Sequence, residues 1–363
     1  RDWSSDVCSS DLMKILVIGP SWVGDMMMSQ SLYRTLKAEH PDAVIDVMAP
    51  AWCRPLLSRM PEVRQALAMP LGHGALELGE RRRLGKALRD SHYDRAYVLP
   101  NSFKSALVPF FAGIPRRVGW RGEMRYGLLN DLRVLDKAAF PLMVERYVAL
   151  GYDTPVASAA QLPQPLLWPK LQVEEQEKRE TAAQFQLTAT RPIIGFCPGA
   201  EFGPAKRWPH YHYAALARQL IAEGFQILLF GSAKDRPTGE EIIAVLPEES
   251  RSHCRNLAGE TQLEQAVILL AQCRAVVSND SGLMHIAAAL DRPLVALYGP
   301  SSPDFTPPLA RQARIIRLIT GYHKVRKGDA EQGYHQSLID IQPERVLQTL
   351  NELLAPQEVP CTS

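Results

Sequence analysis

Short apolar runs alternate with longer stretches of helical periodicity along most of the chain. In the first half, apolar runs at residues 14–19, 43–50 and 94–100 have the length and composition of strands. Residues 25–40 and the basic segment 77–90 have helical spacing of their apolar positions and are predicted helices. This alternation predicts an α/β architecture with mostly parallel sheets.

The second half repeats the pattern. Residues 192–199, 225–232 and 292–300 are predicted strands that end in glycine-containing loops, and residues 274–290 form a predicted strand, tight turn and helix. Both halves therefore fit doubly wound, Rossmann-like domains. Such domains bind ligands at the carboxyl ends of their strands, and two in series are expected to meet across a cleft.

The break between the halves is the segment QLPQPLLWPKL at residues 161–171, which has no helical period. We therefore expect one domain over residues 13–165 and a second over 170–340. A C-terminal helix is expected over residues 341–356. The sequence does not decide whether this helix crosses back to pack on the first domain. The polar residues 1–12 lack the regions of a signal peptide, and we interpret them as a non-native extension ahead of Met13.

Composition excludes several classes of protein. The net charge of +2 gives no indication of nucleic-acid binding. No apolar run reaches the roughly 18–20 residues that span a bilayer. The cysteines are scattered without a CxxC pair, which argues against a zinc site and against a disulfide framework. Without an export signal, a reducing cytoplasm is the expected location.

The loop GPSWVG at residues 19–24 follows the first predicted strand and lacks the full GxGxxG dinucleotide fingerprint. Asp46 stands about 20 residues further on, as an NAD-binding acid would, but inside a strand. Asp25 comes directly after the loop. The residues alone leave two interpretations of Asp25 about equal, a favourable charge at a helix N-terminus and a catalytic carboxylate.

Three loops in the second half are candidates for binding a nucleotide. In SNDSGLMH, the turn at Asp280, Ser281 and Gly282 can present backbone N–H groups to an anion, although a helix cap explains it equally well. His285 follows one turn later, where a packed core histidine is the commoner case. The loop at 198–209 contains Gly199 and Lys206, which suit a diphosphate or a solvated surface loop.

The third loop is FGSAKD, which ends a predicted strand. Its Ser232 or Asp235, after Gly231, can meet a ribose, and alone the loop is no more than a turn.

Longer stretches carry a family resemblance. They are MKILVIGPSWVGDMMMSQSLY, DVMAPAWCRPLLSRMPEV, GFCPGAEFGPAKRWP, NDSGLMHIAAAL and YGPSSPDFTPP. In these stretches the chain resembles the ADP-heptose:lipopolysaccharide heptosyltransferases of glycosyltransferase family nine, from Met13 to about Leu354. The resemblance implies a GT-B fold with the donor nucleotide in the C-terminal domain. It also implies inverting transfer of L-glycero-D-manno-heptose from ADP-heptose to heptosyl-Kdo2-lipid A.

The resemblance also implies roles for individual residues. Asp25 matches the general base, Lys206 the lysine that contacts the diphosphate, and Asp280 the acid that contacts the heptose. A helix N-terminus is expected to lower the pKa of Asp25, which is tolerable when proton transfer comes late. The donor site is completed by Gly199, Gly231, Ser232, Asp235, Ser281, Gly282 and His285. No acidic pair suggests a metal ion, so no cofactor is expected.

The implied acceptor is an anionic, lipid-linked core oligosaccharide. Its expected contacts are Ser21, Trp22, Arg116, Arg117, Arg121 and Arg125. These arginines can hold sugar carboxylates, lipid phosphates or the anionic cytoplasmic face of the inner membrane. For the run Arg81 to Arg83, a solvated helix face is at least as good an explanation.

Alternative functions remain open at this point. One is transfer to Kdo2-lipid A itself, and another is a nucleotide-sugar epimerase, which shares the two-domain architecture. A third is a non-catalytic module that binds a nucleotide sugar or lipid A.

Overall fold

The computed structural model describes residues 12–72, 74–187, 190–201, 203–321, 325, 328 and 330–355. The segment interpreted as non-native lies outside these residues except for Leu12. The chain divides into two compact units, Arg1–Pro169 and Lys170–Ser363. The division falls inside the proline-rich segment 161–171.

Each unit contains one six-stranded sheet. The strands are β1 (Lys14–Ile18), β2 (Val44–Ala49), β3 (Val63–Ala68), β4 (Arg95–Val98), β5 (Arg116–Trp120), β6 (Asp131–Arg133), β7 (Ile193–Cys197), β8 (Gln226–Leu229), β9 (Cys254–Asn256), β10 (Ala275–Asn279), β11 (Leu294–Tyr298) and β12 (Ala313–Arg317). The helices are α1 (Val23–Glu39), α2 (Arg54–Leu57), α3 (Leu78–Ala87), α4 (Leu107–Phe111), α5 (Met143–Leu150), α6 (Glu175–Gln184), α7 (His210–Ala222), α8 (Arg236–Val245), α9 (Glu248–Arg251), α10 (Leu263–Leu270), α11 (Gly282–Ala289), α12 (Gln336–Ile339) and α13 (Pro343–Leu354).

The two sheets share one topology. The first has the order β3-β2-β1-β4-β5-β6 and the second the order β12-β11-β10-β7-β8-β9, with parallel pairing throughout. Numbered within each unit, both orders are 3-2-1-4-5-6, the order of the Rossmann fold. Each sheet reverses its strand order beside its first strand, between β1 and β4 and between β7 and β10. Ligand sites in such sheets lie at that reversal, outside the carboxyl ends of the strands.

The apolar runs in the sequence become strands because helices cover both sides of each sheet. Leu16, Ile18 and Val98 of the central strands are buried in the first unit. In the second unit, β7, β10 and β11 pack with α7 on a common core. The C-terminal helix α13 packs against α7 and β11 of this unit and buries Val346 and Leu350 there.

No helix in the described ranges is long and apolar enough to cross a membrane.

Candidate active site

The first unit has a cleft of about 1190 Å³ at the carboxyl ends of its strands β1 to β4. The sequence predicts Asp25 as a catalytic residue and Ser21 and Trp22 as acceptor contacts, and all three line this cleft. The loop between β1 and α1, together with the first turn of α1, brings these three residues to the cleft. A side chain at Gly19 would crowd the start of this loop, since a Cβ there would lie 3.0 Å from Met26 Cε and 3.2 Å from Val47 Cγ1.

Asp25 occupies the first turn of α1, and its pKa differs from our expectation. The helix N-terminus favours the carboxylate, but burial disfavours it and raises the pKa of Asp25 to about 6. Burial is the cause of this shift, and in the described part of the chain no side chain pairs with the carboxylate. Asp25 is therefore an unneutralised acid in an open cleft, titrating close to neutral pH.

Sequence reasoning missed several aromatic residues of this cleft. Trp52 lies in a 3-10 turn, Ala51–Cys53, that follows β2, and its indole is 42% exposed. Phe103 and Tyr147 also line the cleft. The available signal was the position of Trp52 immediately after a predicted strand, at the edge where ligands bind. Exposed aromatic rings in a cleft provide apolar surfaces on which a sugar ring can stack.

The second unit brings Lys206 and Asp280 together where its strand order reverses. Lys206 ends a 3-10 turn, Pro204–Lys206, in the loop after β7, and Asp280 follows β10 directly. The Lys206 Nζ donates a hydrogen bond to Asp280 Oδ2 at 2.9 Å, and both side chains are mostly buried. These two predicted donor-site residues, far apart in the sequence, therefore share one location.

A buried amide holds the two loops in place. Asn279 Nδ2 donates to the carbonyl oxygen of Pro198 at 2.7 Å. Its Oδ1 accepts the backbone N–H of Trp208 and the hydroxyl of Tyr213, both at 3.1 Å. The sequence identified Asn279 only as part of the turn; the structure makes it the link between the loops that carry Lys206 and Asp280. The available signal was an Asn at the end of a predicted strand that is mostly apolar.

The turn after β10 has the geometry of an anion site. Ser281 is extended and precedes α11, which begins at Gly282, and its side chain does not cap the helix. The first N–H groups of a helix have no partner within it, and the helix dipole favours negative charge there. His285 lies one turn further on and is buried. Burial lowers its pKa to about 4, so the imidazole is neutral at pH 7.

Asp235 forms a compact turn with its predicted neighbours. Its Oδ2 accepts hydrogen bonds from the backbone N–H of Ser232 at 2.9 Å and from the Ser232 hydroxyl at 2.8 Å. A Cβ at Gly199 would lie 2.5 Å from the Asp235 carboxylate, and one at Gly231 would lie 2.7 Å from Asp235 Cβ. The two glycines allow Asp235 to approach both loops. The Asp235 carboxylate stabilises the turn at residues 232–235 through its hydrogen bonds with Ser232. Contact of Asp235 with a ribose stays a prediction.

The arginines assigned to the acceptor need revision. Arg116 and Arg117 are predicted to contact the acceptor, but both lie on strand β5. Arg116 pairs with Asp131 at 2.9 Å and with Asp153 at 2.6 Å. Arg117 donates to the carbonyl oxygens of Leu128 and Ile114, each at 2.6 Å. These guanidinium groups are engaged within the fold.

Arg125 is also structural. It is buried and donates to the carbonyl oxygen of Pro100 at 2.6 Å and to Asn101 Oδ1 at 3.1 Å. Arg121, in contrast, is exposed and stays a candidate for an anionic ligand. Of the other basic run, Arg81 is buried and lines the cleft, whereas Arg83 pairs with Glu80.

The described residues do not support the two other kinds of site considered in the sequence, a dinucleotide site at Asp46 and a metal site. Asp46 is buried and accepts hydrogen bonds from Arg64, Gln65 and Tyr93, so it is not available to an NAD ribose. Within the residues that the structure describes, no cluster of three or more His, Cys, Asp or Glu side chains could hold a metal ion.

Two Rossmann-type units, one with a cleft that contains Asp25 and one in which Lys206 and Asp280 meet beside the start of α11, have the architecture of a GT-B glycosyltransferase. Residues 81–335 match the family model for glycosyltransferase family 9 (heptosyltransferase), and the chain belongs to this family. The α/β fold, the enzyme class and the family resemblance found in the sequence are thereby confirmed.

Individual relatives are similar over nearly the whole chain. The chain is 76% identical over 347 residues to lipopolysaccharide heptosyltransferase 2 of Escherichia coli (strain K12). This alignment covers 95% of the chain and 100% of the relative. The chain is 64% identical to lipooligosaccharide heptosyltransferase 2 of Haemophilus influenzae, over 94% of this chain and 100% of the relative. A solved structure of E. coli ADP-heptose LPS heptosyltransferase II superposes with a TM-score of 0.87 at 72% identity, covering 94% of this chain and 98% of that one.

Proposed function

We propose that this chain transfers L-glycero-D-manno-heptose from ADP-heptose to the first heptose of heptosyl-Kdo2-lipid A, in the synthesis of the lipopolysaccharide inner core. The observation that carries the proposal is 76% identity over the full length of a relative named lipopolysaccharide heptosyltransferase 2. Transfer between two sugars needs a base for the acceptor hydroxyl and a site for the departing diphosphate. The candidate base, Asp25, belongs to the first unit, and the candidate diphosphate contact, Lys206, belongs to the second.

In this reaction Asp25 is the general base. With a pKa of about 6 it is largely ionised at pH 7, yet it accepts a proton more readily than an ordinary aspartate. The acceptor hydroxyl oxygen forms a bond to the anomeric carbon while the bond from that carbon to the ADP oxygen breaks. The hydroxyl proton passes to Asp25, ADP departs, and the configuration at the anomeric carbon inverts.

The second unit stabilises the departing ADP. The Lys206 ammonium is paired with Asp280 in the free protein, and it lies at the switch point where a diphosphate would bind. The ammonium and the free N–H groups at Ser281 and Gly282 neutralise the developing charge, and Asp280 holds heptose hydroxyls. Gly199, Gly231, Ser232 and Asp235 form the neighbouring wall for the nucleoside.

No metal ion takes part in the proposed reaction, because Lys206 and the N-terminus of α11 supply the charge that a metal would otherwise provide. The enzyme works in the cytoplasm, where it meets a lipid-linked acceptor at the membrane. It has no nucleic-acid partner.

The test is to incubate the chain with ADP-heptose and either Kdo2-lipid A or its monoheptosylated form, and to determine the molecular masses of the products by mass spectrometry. Addition of one heptose to the monoheptosylated acceptor supports the proposal. Addition to Kdo2-lipid A alone indicates the sister reaction. Conversion of ADP-heptose to an isomer without acceptor indicates an epimerase, and bound but unconsumed donor indicates a binding module.

A further inference from the structure

A segment between β12 and α13 packs against the loop that carries Lys206. We call residues 333–341 the C-terminal strap; it contains α12 and leads into α13. The strap contacts this loop on both sides of Lys206, at Pro204 and at His210. It therefore lies where it can determine the position of the lysine.

Before Lys206, the contact is between Gly333 and Pro204. Gly333 has a φ of +77°, and a Cβ at this position would lie 2.9 Å from Pro204 Cγ. The proline ring fixes its own φ, so Pro204 cannot move aside by a simple side-chain rotation. Pro204 begins the 3-10 turn that ends at Lys206. The strap therefore lies directly against the turn that places the ammonium, at a distance that requires glycine.

After Lys206, the contact is a hydrogen bond from the first residue of α7. Tyr334 is only 5% exposed, and its Oη accepts the backbone N–H of His210 at 3.4 Å. This N–H is one of the first of the helix and has no partner within it. The same Oη lies 3.0 Å from His210 Nδ1, to which the phenol can donate its proton. Tyr334 therefore fixes the point at which the Lys206 loop enters α7.

The strap is itself anchored to the core of the second unit. Its Leu338 is fully buried there. The carbonyl oxygen of Ile341 accepts a hydrogen bond from Trp208 Nε1 at 2.8 Å, and that of Ile339 accepts one from His212 Nε2 at 2.9 Å. These contacts make the strap a rigid support for the loop that it touches.

Rigid support matters for a lysine because its side chain is long and flexible. An ammonium on a mobile loop loses conformational freedom when it binds a diphosphate, and that loss weakens binding. In the free protein, Lys206 Nζ already lies 2.9 Å from Asp280 Oδ2. Contacts that hold the lysine turn in place before the donor arrives therefore increase the affinity for a diphosphate.

We infer that Gly333 and Tyr334 are positioning residues of the donor site, which hold the loop around Lys206 so that its ammonium is in place for the diphosphate. Neither residue needs to touch the donor, because both act through the backbone of the loop. The inference rests on the proposed function, in which Lys206 binds the diphosphate of ADP-heptose. It requires the effect of changing either residue to depend on the presence of Lys206.

The test measures the dissociation constant of ADP by titration calorimetry on the full chain. Gly333→Ala places a methyl group against Pro204 and strains the backbone, and we expect it to raise the dissociation constant about tenfold. In the Lys206→Gln background the same substitution should change the dissociation constant less than about twofold, because the contact that depends on the strap is already lost. Tyr334→Phe removes only the hydroxyl and should raise the dissociation constant about threefold with Lys206 present, and not without it.

The matched control is Gly224→Ala. Gly224 follows α7 and also has a positive φ, of +94°, but no heavy atom beyond its chain neighbours lies within 4 Å of a Cβ placed there. This variant has comparable backbone strain and should bind ADP as the wild type does. Thermal unfolding checks that each variant is folded. If Gly333→Ala does not fold, Tyr334→Phe decides by the same comparison.

Failure of the inference and failure of the proposed function are distinguishable. A folded Gly333→Ala or Tyr334→Phe that binds ADP as tightly as the wild type, or that loses as much affinity without Lys206 as with it, overturns the inference alone. An equal loss in Gly224→Ala also overturns it, since general strain would then explain the effect. If Lys206→Gln itself binds ADP as tightly as the wild type, the proposed diphosphate contact fails, and the inference fails with it.

Discussion

At the scale of single residues, Asp25 is subject to two opposing electrostatic effects. The dipole of α1 favours the carboxylate by about 0.3–1 kcal/mol, which is less than one pKa unit. Burial raises the pKa from 3.8 to about 6 and is therefore the larger effect. The sequence places Asp25 at a helix start, but its burial depends on packing of α1 against α5 and on cleft residues such as Tyr147. Such long-range contacts are not visible in a local pattern.

The raised pKa makes a prediction about stability. The folded state holds a proton on Asp25 up to about pH 6, whereas the unfolded chain releases it near pH 4, so ionised Asp25 destabilises the fold at neutral pH. We expect Asp25→Asn to raise the free energy of unfolding by about 2 kcal/mol at pH 7. This difference in the free energy of unfolding should become smaller as the pH is lowered to 4.5, because Asp25 of the folded wild type is then protonated and neutral, as Asn is.

Urea unfolding at several pH values measures this effect. Asp42→Asn, at an exposed site, is the control and should change stability little at any pH. A gain for Asp25→Asn that does not vary with pH would show that the carboxyl is not titrating near neutrality.

Trp52 allows a prediction about acceptor binding. Its exposed indole lines the Asp25 cleft, so Trp52→Ala should raise the KM for acceptor about tenfold by loss of stacking. Trp52→Phe keeps an aromatic ring and should have a KM close to that of the wild type. The dissociation constant of ADP-heptose should not change. Phe110→Ala is the control, since Phe110 is similarly exposed and is not a lining residue of the cleft. An unchanged acceptor KM in Trp52→Ala would exclude the stacking role.

At the scale of elements, the apolar strands could be predicted and the more polar strands could not. The strands β1, β2, β4, β7, β8, β10 and β11 arise from apolar runs buried on both sides. The strand β3 is partly exposed along its length, and β5 begins with two arginines. Arg64 of β3 and Arg116 of β5 pair with carboxylates, and Arg117 of β5 donates to carbonyl oxygens. Because these polar residues interrupt the apolar positions, no continuous hydrophobic pattern marks the two strands.

The loops after β7 and β10 form one functional element. Lys206 and Asp280 meet there only because the strand order places β7 beside β10. We expect Lys206→Gln to weaken ADP binding about 10- to 100-fold, as for loss of a charge-assisted hydrogen bond, with less effect at high salt. Titration calorimetry measures it. Lys234→Gln is the control, because Lys234 is exposed and pairs with Glu201. Equal effects of the two substitutions would contradict a specific diphosphate contact.

At the scale of the whole molecule, the sequence predicts two Rossmann-like halves because each half repeats the same strand–loop–helix pattern. The structure confirms one 3-2-1-4-5-6 sheet in each unit. What the pattern could not supply is the pairing of side chains inside each site, such as the link from Asn279 to Pro198 and Trp208. It also could not distinguish arginines that bind ligands from those that hold the fold together.

Metal independence is a prediction about the complete enzyme. Treatment with EDTA should leave the rate of heptose transfer within about twofold of the untreated rate, because Lys206 and the α11 N-terminus carry the diphosphate charge. The measurement is initial rate before and after chelation, with ADP binding followed in parallel. Loss of activity that Mg²⁺ restores would show that a metal ion takes part.

The central claim is that Asp25 takes the proton from the acceptor hydroxyl. The most direct test is the pH dependence of single-turnover heptose transfer by the wild type and by Asp25→Asn, with ADP-heptose affinity measured alongside. We predict that the wild-type rate falls about tenfold per pH unit below about pH 6. Asp25→Asn should lose at least about a hundredfold in rate while binding ADP-heptose normally. A variant that retains transfer within about tenfold of the wild type would contradict the account.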